Sequence, residues 1–303
     1  MDAYLVSIQK RRKNMIIVKR MFIMILSGLC FSMWGCSQNT LDYGLTDEEM
    51  TMPEAAYYST DFAEMPDDVA EAVANGPIAP EDVLAFEDIG RLAEPGYLPV
   101  ENGYCVLKDN TAFVAVKTDF PNTKKEMIHW WFSWHALKSI RYKIWYPGYH
   151  YAISVKDADQ LTDQSLPPEE RYLNNRQYPM EDVGAGLFPI SIKFVSPESF
   201  GFDTSKFESQ GIEAVICAIV GFRLSDSTIE HTYMCHLYRK KGDGLEQRSR
   251  FWLGKRFPSR TLRKLFINEQ MALDMMLHCS GEYTHLASFL PDIYDEFSDN
   301  VTN

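Results

Sequence analysis

Past its first 35 residues the sequence has few basic side chains. The whole chain carries 30 Lys and Arg against 42 Asp and Glu, a formal charge of −12. The first 35 residues hold six of the bases but only one of the acids, so the remainder carries a charge of −17. A body this acidic lacks the basic surface that holds nucleic acid by neutralising phosphates. We therefore expect no nucleic-acid partner.

Motifs of several common enzyme and metal-site classes are also missing. The sequence has no Gly-x-Ser-x-Gly string of a serine hydrolase, no Walker phosphate loop and no Gly-x-Gly-x-x-Gly string. A zinc ribbon is not indicated, because Cys105, Cys217, Cys235 and Cys279 form no Cys-x-x-Cys pair. Of these, Cys217 and Cys235 lie in apolar runs and are expected to be buried thiols. After residue 35 no apolar run is long enough to span a membrane.

The N-terminus has the pattern of an export signal. A basic stretch over residues 10–20 precedes 14 apolar residues, 21–34, and the pair Gly35-Cys36 ends the run. A basic flank, a short apolar core and a small residue at its end are typical of secretion. Because the run ends in cysteine, it resembles a bacterial lipoprotein signal. That predicts lipidation of Cys36 and an exported, membrane-tethered protein, with a simple signal peptide or an uncleaved anchor as the alternatives.

The chain divides by composition into four parts. Residues 1–36 are assigned to the signal, and the polar, acidic residues 37–60 to a flexible tether. Residues 61–96 contain two helical stretches separated by Asn75-Gly76-Pro77, which predicts a small helical N-terminal part. Residues 97–303 form the main domain, and the overall content of 46% hydrophobic and 24% charged residues is that of a globular protein.

The main domain alternates strand-like and helical patterns. Segments rich in β-branched and aromatic residues predict strands at 112–118, 151–155, 190–195, 213–222, 231–238 and 247–253. One helix is predicted over residues 124–140, and a long one from Ser259 to Phe289, with a continuation to Phe297 past Pro291 left open. The predicted class is α+β, an antiparallel sheet closed over by a long C-terminal helix.

The C-terminal helix carries the clearest candidate for metal chemistry. His278 and Glu282 are four residues apart, so their side chains lie on one face of the helix and can reach one ion. Imidazole and carboxylate suit zinc, iron or manganese. Gly281 between them costs helix propensity and indicates close packing or a nearby ligand. The alternative is an ordinary surface pair of histidine and glutamate.

Two further segments allow both a functional and a structural interpretation. The aromatic segment 129–135, His-Trp-Trp-Phe-Ser-Trp-His, is able to line a ligand pocket or simply to bury a helix against the sheet. His236 shares one strand face with Met234 and Tyr238. It points either into a cavity or into the core.

Seven strings of the sequence, in the same order, resemble the 2,4-diacetylphloroglucinol hydrolase family. They are Pro95-Gly96-Tyr97, the string 101–105, the aromatic string 130–135, the string 141–150, Glu181-Asp182-x-Gly184, the string 248–254 and His278-Cys279-x-x-Glu282. The resemblance runs from about residue 60 to the end of the chain. It implies a helix-grip fold like that of Bet v 1, preceded by a small helical part used in dimerisation, and hence a homodimer.

The resemblance also implies a zinc site and a reaction. The family's zinc is held by two histidines and two glutamates, which fall by motif on His150, Glu181, His278 and Glu282. His135 and Glu170 are the alternatives for the first two. The family removes an acetyl group from an acylated phloroglucinol ring by cleaving a carbon–carbon bond, with zinc activating a water. Tyr142 and His236 are the implied hydrogen-bond donors to the ring hydroxyls.

Two features depart from the family pattern. Phe251 stands where a tyrosine that binds a substrate hydroxyl is expected, so the phenol that is recognised differs. The export signal is unexpected for a cytosolic enzyme. The predicted partner is therefore an acylated phenol or a related β-diketone-like small molecule. A non-catalytic helix-grip module that binds an aromatic ligand, or a structural lipoprotein, is the alternative.

Overall fold

The computed structural model describes residues 44–225 and 227–299. The predicted signal, the lipidation site Cys36 and the first residues of the predicted tether lie outside these ranges. None of the helices in the described part of the chain is long and apolar enough to cross a membrane. We number α-helices and strands below in chain order.

Within the described part of the chain, nine antiparallel strands form one sheet. They are β1 (Gly103–Val106), β2 (Ala112–Phe120), β3 (His150–Ala152), β4 (Arg176–Gln177), β5 (Met180–Asp182), β6 (Leu187–Val195), β7 (Ile212–Arg223), β8 (Thr228–Lys241) and β9 (Gly244–Leu253). The order across the sheet is β1-β2-β9-β8-β7-β6-β5-β3, and β4 also pairs with β6. Each of the six predicted strands is present, whereas β1, β4 and β5 were not predicted because they have too few residues for a periodic pattern.

Six α-helices accompany the sheet in residues 44–225 and 227–299. They are α1 (Asp67–Asn75), α2 (Lys125–Trp134), α3 (Ser139–Trp145), α4 (Ala158–Thr162), α5 (Arg260–Phe266) and α6 (Glu269–Phe297). The sheet curls around α6, whose buried residues share one core with the inner face of the sheet. This is an antiparallel helix-grip architecture of the α+β class, and the predicted fold class is confirmed.

Both predicted helices of the main domain are broken where the backbone leaves the helical region. Residues 124–140 divide into α2 and α3, because Lys138 is extended (φ −142°, ψ 137°). The C-terminal helix divides at Ile267, and Asn268 starts α6 by accepting the Met271 N–H at 2.9 Å. Pro291 lies inside α6, which continues to Phe297.

A second core covers the outer face of the sheet. Short 3₁₀ turns at Pro80–Asp82 and Phe86–Ala93 replace the second predicted N-terminal helix, and Leu84, Ile89 and Leu92 pack there against Phe113 and Trp252. β9 therefore has both faces covered, and each of its ten residues is buried. Cys217 and Cys235 are free, buried thiols of this outer core, as predicted.

The predicted tether is wrong for its described part, residues 44–60. This segment packs on α3 through two buried ion pairs, Glu54 to Arg141 Nε at 2.9 Å and Glu49 to Lys143 Nζ at 2.6 Å. Acidic side chains that predict a solvated segment are instead matched to bases of α3, which offsets their desolvation.

Candidate metal centre

Three elements bring the four predicted ligands together. His150 begins β3 and lies directly opposite Glu181 of β5 in the strand register. His278 and Glu282 lie one turn apart on the buried face of α6. The edge of the sheet thus supplies one histidine–glutamate pair and the long helix supplies the other.

The donor atoms are close enough to share one ion. His150 Nε2 is 3.5 Å from Glu282 Oε2 and 3.9 Å from Glu181 Oε2, and His278 Nε2 is 4.0 Å from Glu282 Oε2. Within the described residues, one donor atom from each of His150, Glu181 and His278 lies within 4.8 Å of the others. Neighbouring donors around a tetrahedral zinc ion are about 3.4 Å apart.

His150 presents a lone pair that the described part of the protein leaves unused. His150 Nδ1 lies 3.1 Å from the Tyr142 carbonyl oxygen, to which it donates, so Nε2 carries the lone pair. That Nε2 is buried and has no hydrogen-bond partner among the described residues. Burial lowers the pKa of His278 to about 3 and the pKa of His150 well below its ordinary value. Both rings are therefore neutral, as metal ligands must be, and their contacts with the glutamates are not salt bridges.

The two carboxyl groups lack a positive partner. Burial raises the pKa of Glu181 to about 7 and the pKa of Glu282 well above its ordinary value. In residues 44–225 and 227–299, neither carboxylate forms an ion pair with a lysine or arginine. A buried pair of carboxylates with neutral imidazoles around them fits a divalent cation, which supplies the missing charge.

The chain after Glu181 is shaped to place this side chain against α6. Asp182 Oδ1 accepts the N–H groups of Gly184 and Gly186 at 2.8 and 2.7 Å, which closes a tight turn. Gly184 has φ +95°, and a Cβ there would lie 2.7 Å from Cγ of Asp274 on α6. The Glu-Asp-x-Gly string therefore forms the turn that brings β5 against the helix.

The two predicted hydrogen-bond donors occupy different places. Tyr142 stacks on the His150 ring at 4.0 Å and its hydroxyl donates to Glu181 Oε2, so it reaches the cluster. His236 lies on β8, with Nδ1 2.7 Å from Ser249 Oγ and its ring 4.8 Å from that of Tyr283. Its hydrogen bond is with Ser249 and not with any of the four candidate ligands, while its neighbour Tyr283 directly follows Glu282.

The structure places neither alternative ligand in the cluster. His135 Nδ1 is 2.7 Å from the Trp131 carbonyl oxygen, and its ring stacks on Trp131 in the core. Glu170 is exposed. The aromatic segment 129–135 that contains His135 is buried in the inner core, with Trp130 stacked on Trp134 at 4.6 Å.

Tyr146 is a residue of this site that the sequence analysis missed. Its ring lies edge-on to His278 at 5.2 Å, and its hydroxyl lies against Gly281 of α6. The unusual glycine between His278 and Glu282 was the available signal, but it could not reveal what packs against it.

The string 248–254 contributes to both faces of the sheet. Arg248 and Arg250 point to the outer face and bind Glu101, with Arg250 Nη2 2.6 Å from Glu101 Oε2. Ser249 and Phe251 point to the inner face, where the Phe251 ring lies 5.6 Å from that of His236. Only this inner half is near the candidate site.

Known proteins resemble this chain over most of its length. A family model described as the DAPG hydrolase PhiG domain matches residues 84–295. The 2,4-diacetylphloroglucinol hydrolase of Pseudomonas protegens is 33% identical over 262 residues, which cover 81% of this chain and 84% of the relative. The phloretin hydrolase of Eubacterium ramulus is 32% identical over 264 residues, which cover 84% of this chain and 94% of the relative.

Among solved structures, the crystal structure of Ara h 8.0201 overlaps 60% of this chain and 99% of its own, at 5% identity and a TM-score of 0.38. The family model covers most of the main domain, and the relatives match over more than four-fifths of the chain at about one-third identity. The chain therefore belongs to the DAPG hydrolase PhiG domain family.

Proposed function

We propose that this protein is a zinc-dependent hydrolase that cleaves the carbon–carbon bond between an acyl group and a phenolic, phloroglucinol-like ring. The observation that carries the proposal is the buried cluster of His150, Glu181, His278 and Glu282. Among the residues that the structure describes, His150 Nε2 has no hydrogen-bond partner and neither carboxylate is paired with a lysine or arginine. A ligand-binding module has no need of four such groups in one place.

The names of the relatives support the substrate class. 2,4-Diacetylphloroglucinol and phloretin both carry an acyl group on a trihydroxylated ring. Addition of water to the acyl carbon gives a carboxylic acid, and the ring carbon takes the proton. The ring leaves with the electron pair of the broken bond, which is tolerable because hydroxyls beside it allow a keto tautomer. We therefore propose acylated phenols with hydroxyls next to the acyl group as substrates.

The four ligands define what an ion would contribute. His150, Glu181, His278 and Glu282 would hold it, and imidazole with carboxylate is a donor set that zinc accepts. A bound divalent ion would act as a Lewis acid towards the acyl oxygen and lower the pKa of a bound water to about 7.

Tyr142 supplies a proton-bearing hydroxyl beside the ligands. Burial and the neighbouring Glu181 carboxylate raise the pKa of Tyr142 well above its ordinary value. The hydroxyl therefore keeps its proton at Oη and stays a hydrogen-bond donor at any working pH. We assign it to an oxygen on which negative charge develops during the reaction, to which it would donate in place of Glu181 Oε2.

His236 is suited to hold a ring hydroxyl without adding charge. Burial lowers its pKa to about 3, so the imidazole is neutral near pH 7. Because Nδ1 contacts Ser249 Oγ, the ring orientation is fixed and Nε2 remains for a ligand on the inner face. Removal of one such group from an active site costs about a hundredfold or more in rate.

The test combines metal content with turnover. Elemental mass spectrometry of the purified chain should give about one zinc per chain, and acid release should be detected from 2,4-diacetylphloroglucinol and phloretin. An acylbenzene without ring hydroxyls is the matched substrate control and should not react. No bound metal after zinc reconstitution would contradict the proposal and favour the aromatic-ligand module, as would metal retention with no turnover of any acylated phenol.

The cellular location stays a prediction, since Cys36 and the signal lie outside the described residues. We propose that the protein is exported and tethered to a membrane through a lipid on Cys36. The intact mass of the native protein tests this, because cleavage before Cys36 with an added diacylglyceryl group differs from simple cleavage and from an uncleaved chain.

We also propose a homodimer, as the family resemblance implies for the N-terminal part. Light scattering of the purified protein should give twice the mass of the chain. A monomer at the concentration used for the activity measurements would contradict the proposal.

A further inference from the structure

Tyr146 occupies the turn that connects α3 to β3, next to both histidine ligands. Its carbonyl oxygen accepts the N–H groups of Tyr149 and His150 at 3.1 and 2.9 Å, so the residue shapes the backbone that leads into His150. Its ring lies edge-on to His278 at 5.2 Å and to His150 at 5.9 Å, with interplanar angles of 81° and 80°. One side chain thus contacts the imidazoles that come from the sheet edge and from the helix.

The hydroxyl of Tyr146 is seated where α6 has no side chain. Gly281 lies between His278 and Glu282, and a Cβ at this position would overlap the Tyr146 hydroxyl oxygen and lie 2.7 Å from its Cζ. Gly281 is inside a helix, where alanine is the better residue by propensity. The glycine is therefore explained by the space that Tyr146 takes.

The outward side of the Tyr146 ring is also covered. Tyr149 stacks on it at 4.3 Å with an interplanar angle of 12°, and Phe62 packs at 5.2 Å. Only 8% of Tyr146 is exposed. The ring is held between this aromatic cover and the two imidazoles, so it cannot shift outward without displacing Tyr149 or Phe62.

We infer that Tyr146 is a positioning residue for the metal centre. Because its hydroxyl packs against Gly281, its ring is fixed and sets the orientation of His150 and His278. The inference rests on the proposed metal site. Ligand rings must be held in fixed orientations for tight binding, and removal of a supporting contact costs about tenfold to a hundredfold in metal affinity. Tyr142 stacks on the His150 ring at 4.0 Å and Trp145 lies edge-on to it at 5.3 Å, so Tyr146 is one of three aromatic side chains around this ring.

The test uses zinc as the probe and the purified full chain. Zinc affinity is measured by competition with a chromophoric chelator, in unaltered protein and in Tyr146→Leu, Gly281→Ala and the double variant. We expect each single variant to bind zinc about tenfold to a hundredfold more weakly. The double variant should bind no more weakly than Tyr146→Leu alone, because the added methyl group then has no hydroxyl to displace.

A matched glycine substitution controls for the mutation itself. Gly90 lies in the 3₁₀ turn Phe86–Ala93, and the nearest atom to a Cβ there is the Gly201 carbonyl oxygen at 3.6 Å. Gly90→Ala should leave zinc affinity unchanged. The visible spectrum of the cobalt(II)-substituted protein should change in Gly281→Ala and should stay unchanged in Gly90→Ala.

The outcomes separate this inference from the proposed function. If the unaltered chain binds no zinc, the proposed function fails and the inference fails with it. If the unaltered chain binds zinc and Gly281→Ala binds it equally well, only the inference is overturned. Strictly additive losses in the double variant also overturn it, since independent effects would mean that the two residues do not act through one contact.

Discussion

Two groups of buried carboxylates, on opposite faces of the same sheet, behave in opposite ways. On the outer face Glu101 lies between Arg248 and Arg250, and these guanidinium groups hold its pKa below the ordinary value despite its burial. On the inner face Glu181 and Glu282 are about equally buried, at 13% and 11% side-chain exposure, yet burial raises the pKa of both. The outer carboxylate has its cations in the chain, whereas within residues 44–225 and 227–299 the inner ones pair with no lysine or arginine.

This difference between the two faces explains why the string 248–254 contributes both to the fold and to the candidate site. Alternate residues of a strand point to opposite faces, so Arg248 and Arg250 reach Glu101 while Ser249 and Phe251 face the inner core. The arginines stabilise the sheet and its N-terminal cover. A shared string is therefore evidence for a fold and for a site at once, and only the structure separates the two.

The largest expected effect is on the inner cluster, which consists of His150, Glu181, His278 and Glu282. His278→Ala or Glu282→Ala should abolish metal retention and lower turnover about a thousandfold or more, because several kcal/mol of transition-state stabilisation is lost with the ion. The fold should stay largely intact. Metal content, circular dichroism and acid release measure the three quantities.

His231→Ala is the matched control for the inner-cluster variants. His231 is also a buried histidine, but it lies on β8, and its Nδ1 contacts Thr232 Oγ1 at 2.7 Å. It should keep its metal. Wild-type metal occupancy in either cluster variant would refute the ligand assignment.

Substitution in the outer cluster, which consists of Glu101, Arg248 and Arg250, should change the stability of the fold instead. Glu101→Gln leaves two buried guanidinium groups without their carboxylate, which costs about 3–5 kcal/mol of unfolding free energy. Metal content per folded chain should not change. Urea unfolding of metal-free and zinc-loaded protein measures the first effect, and a variant as stable as the unaltered chain would contradict the structural role of this cluster.

The two clusters should give opposite pH dependences in the metal-free protein. The raised pKa of Glu181, about 7 against 4.5, favours the folded chain below pH 4.5, and this contribution is lost as the pH rises through 7. It amounts to about 3 kcal/mol. The lowered pKa of Glu101 gives stability that is present above pH 4.5 and is lost on acidification below it.

Unfolding measurements between pH 4 and 8 distinguish these contributions. The buried histidines, whose lowered pKa values favour the folded chain as the pH rises, are common to both proteins when the unaltered chain is compared with Glu181→Gln. In chelator-treated protein the stability of the unaltered chain relative to Glu181→Gln should fall between pH 5 and 7, whereas in zinc-loaded protein it should rise, because the ion binds the deprotonated carboxylate. Identical profiles for the two forms would show that the inner carboxylates are not the metal ligands.

The smallest expected effect is on substrate preference, through Phe251 on the inner face of the string 248–254. Phe251 is 3% exposed and lies edge-on to His236. Phe251→Tyr adds a hydroxyl on the inner face and should shift the ratio of kcat/KM values towards rings with more hydroxyls, about twofold to tenfold for one neutral hydrogen bond. An unchanged substrate profile would place Phe251 outside the pocket.

Local patterns in the sequence were sufficient for much of the architecture. The alternating residues of β2, β6, β7, β8 and β9 and the apolar face of α6 are visible in the sequence because period-2 and helical repeats extend over many residues. The single-residue break at Lys138 and the short strands β1, β4 and β5 were missed, since no repeat is long enough to mark them.

The sequence by itself determined that His278 and Glu282 share a helix face, because four residues make about one turn. It did not determine what meets that face. His150 and Glu181 join them only because β3 and β5 pair at the sheet edge and the turn at Gly184 packs on α6. The direction in which the pKa of each buried glutamate shifts was likewise decided by tertiary structure. It depends on whether folding brings a guanidinium group or a neutral imidazole beside the carboxyl group.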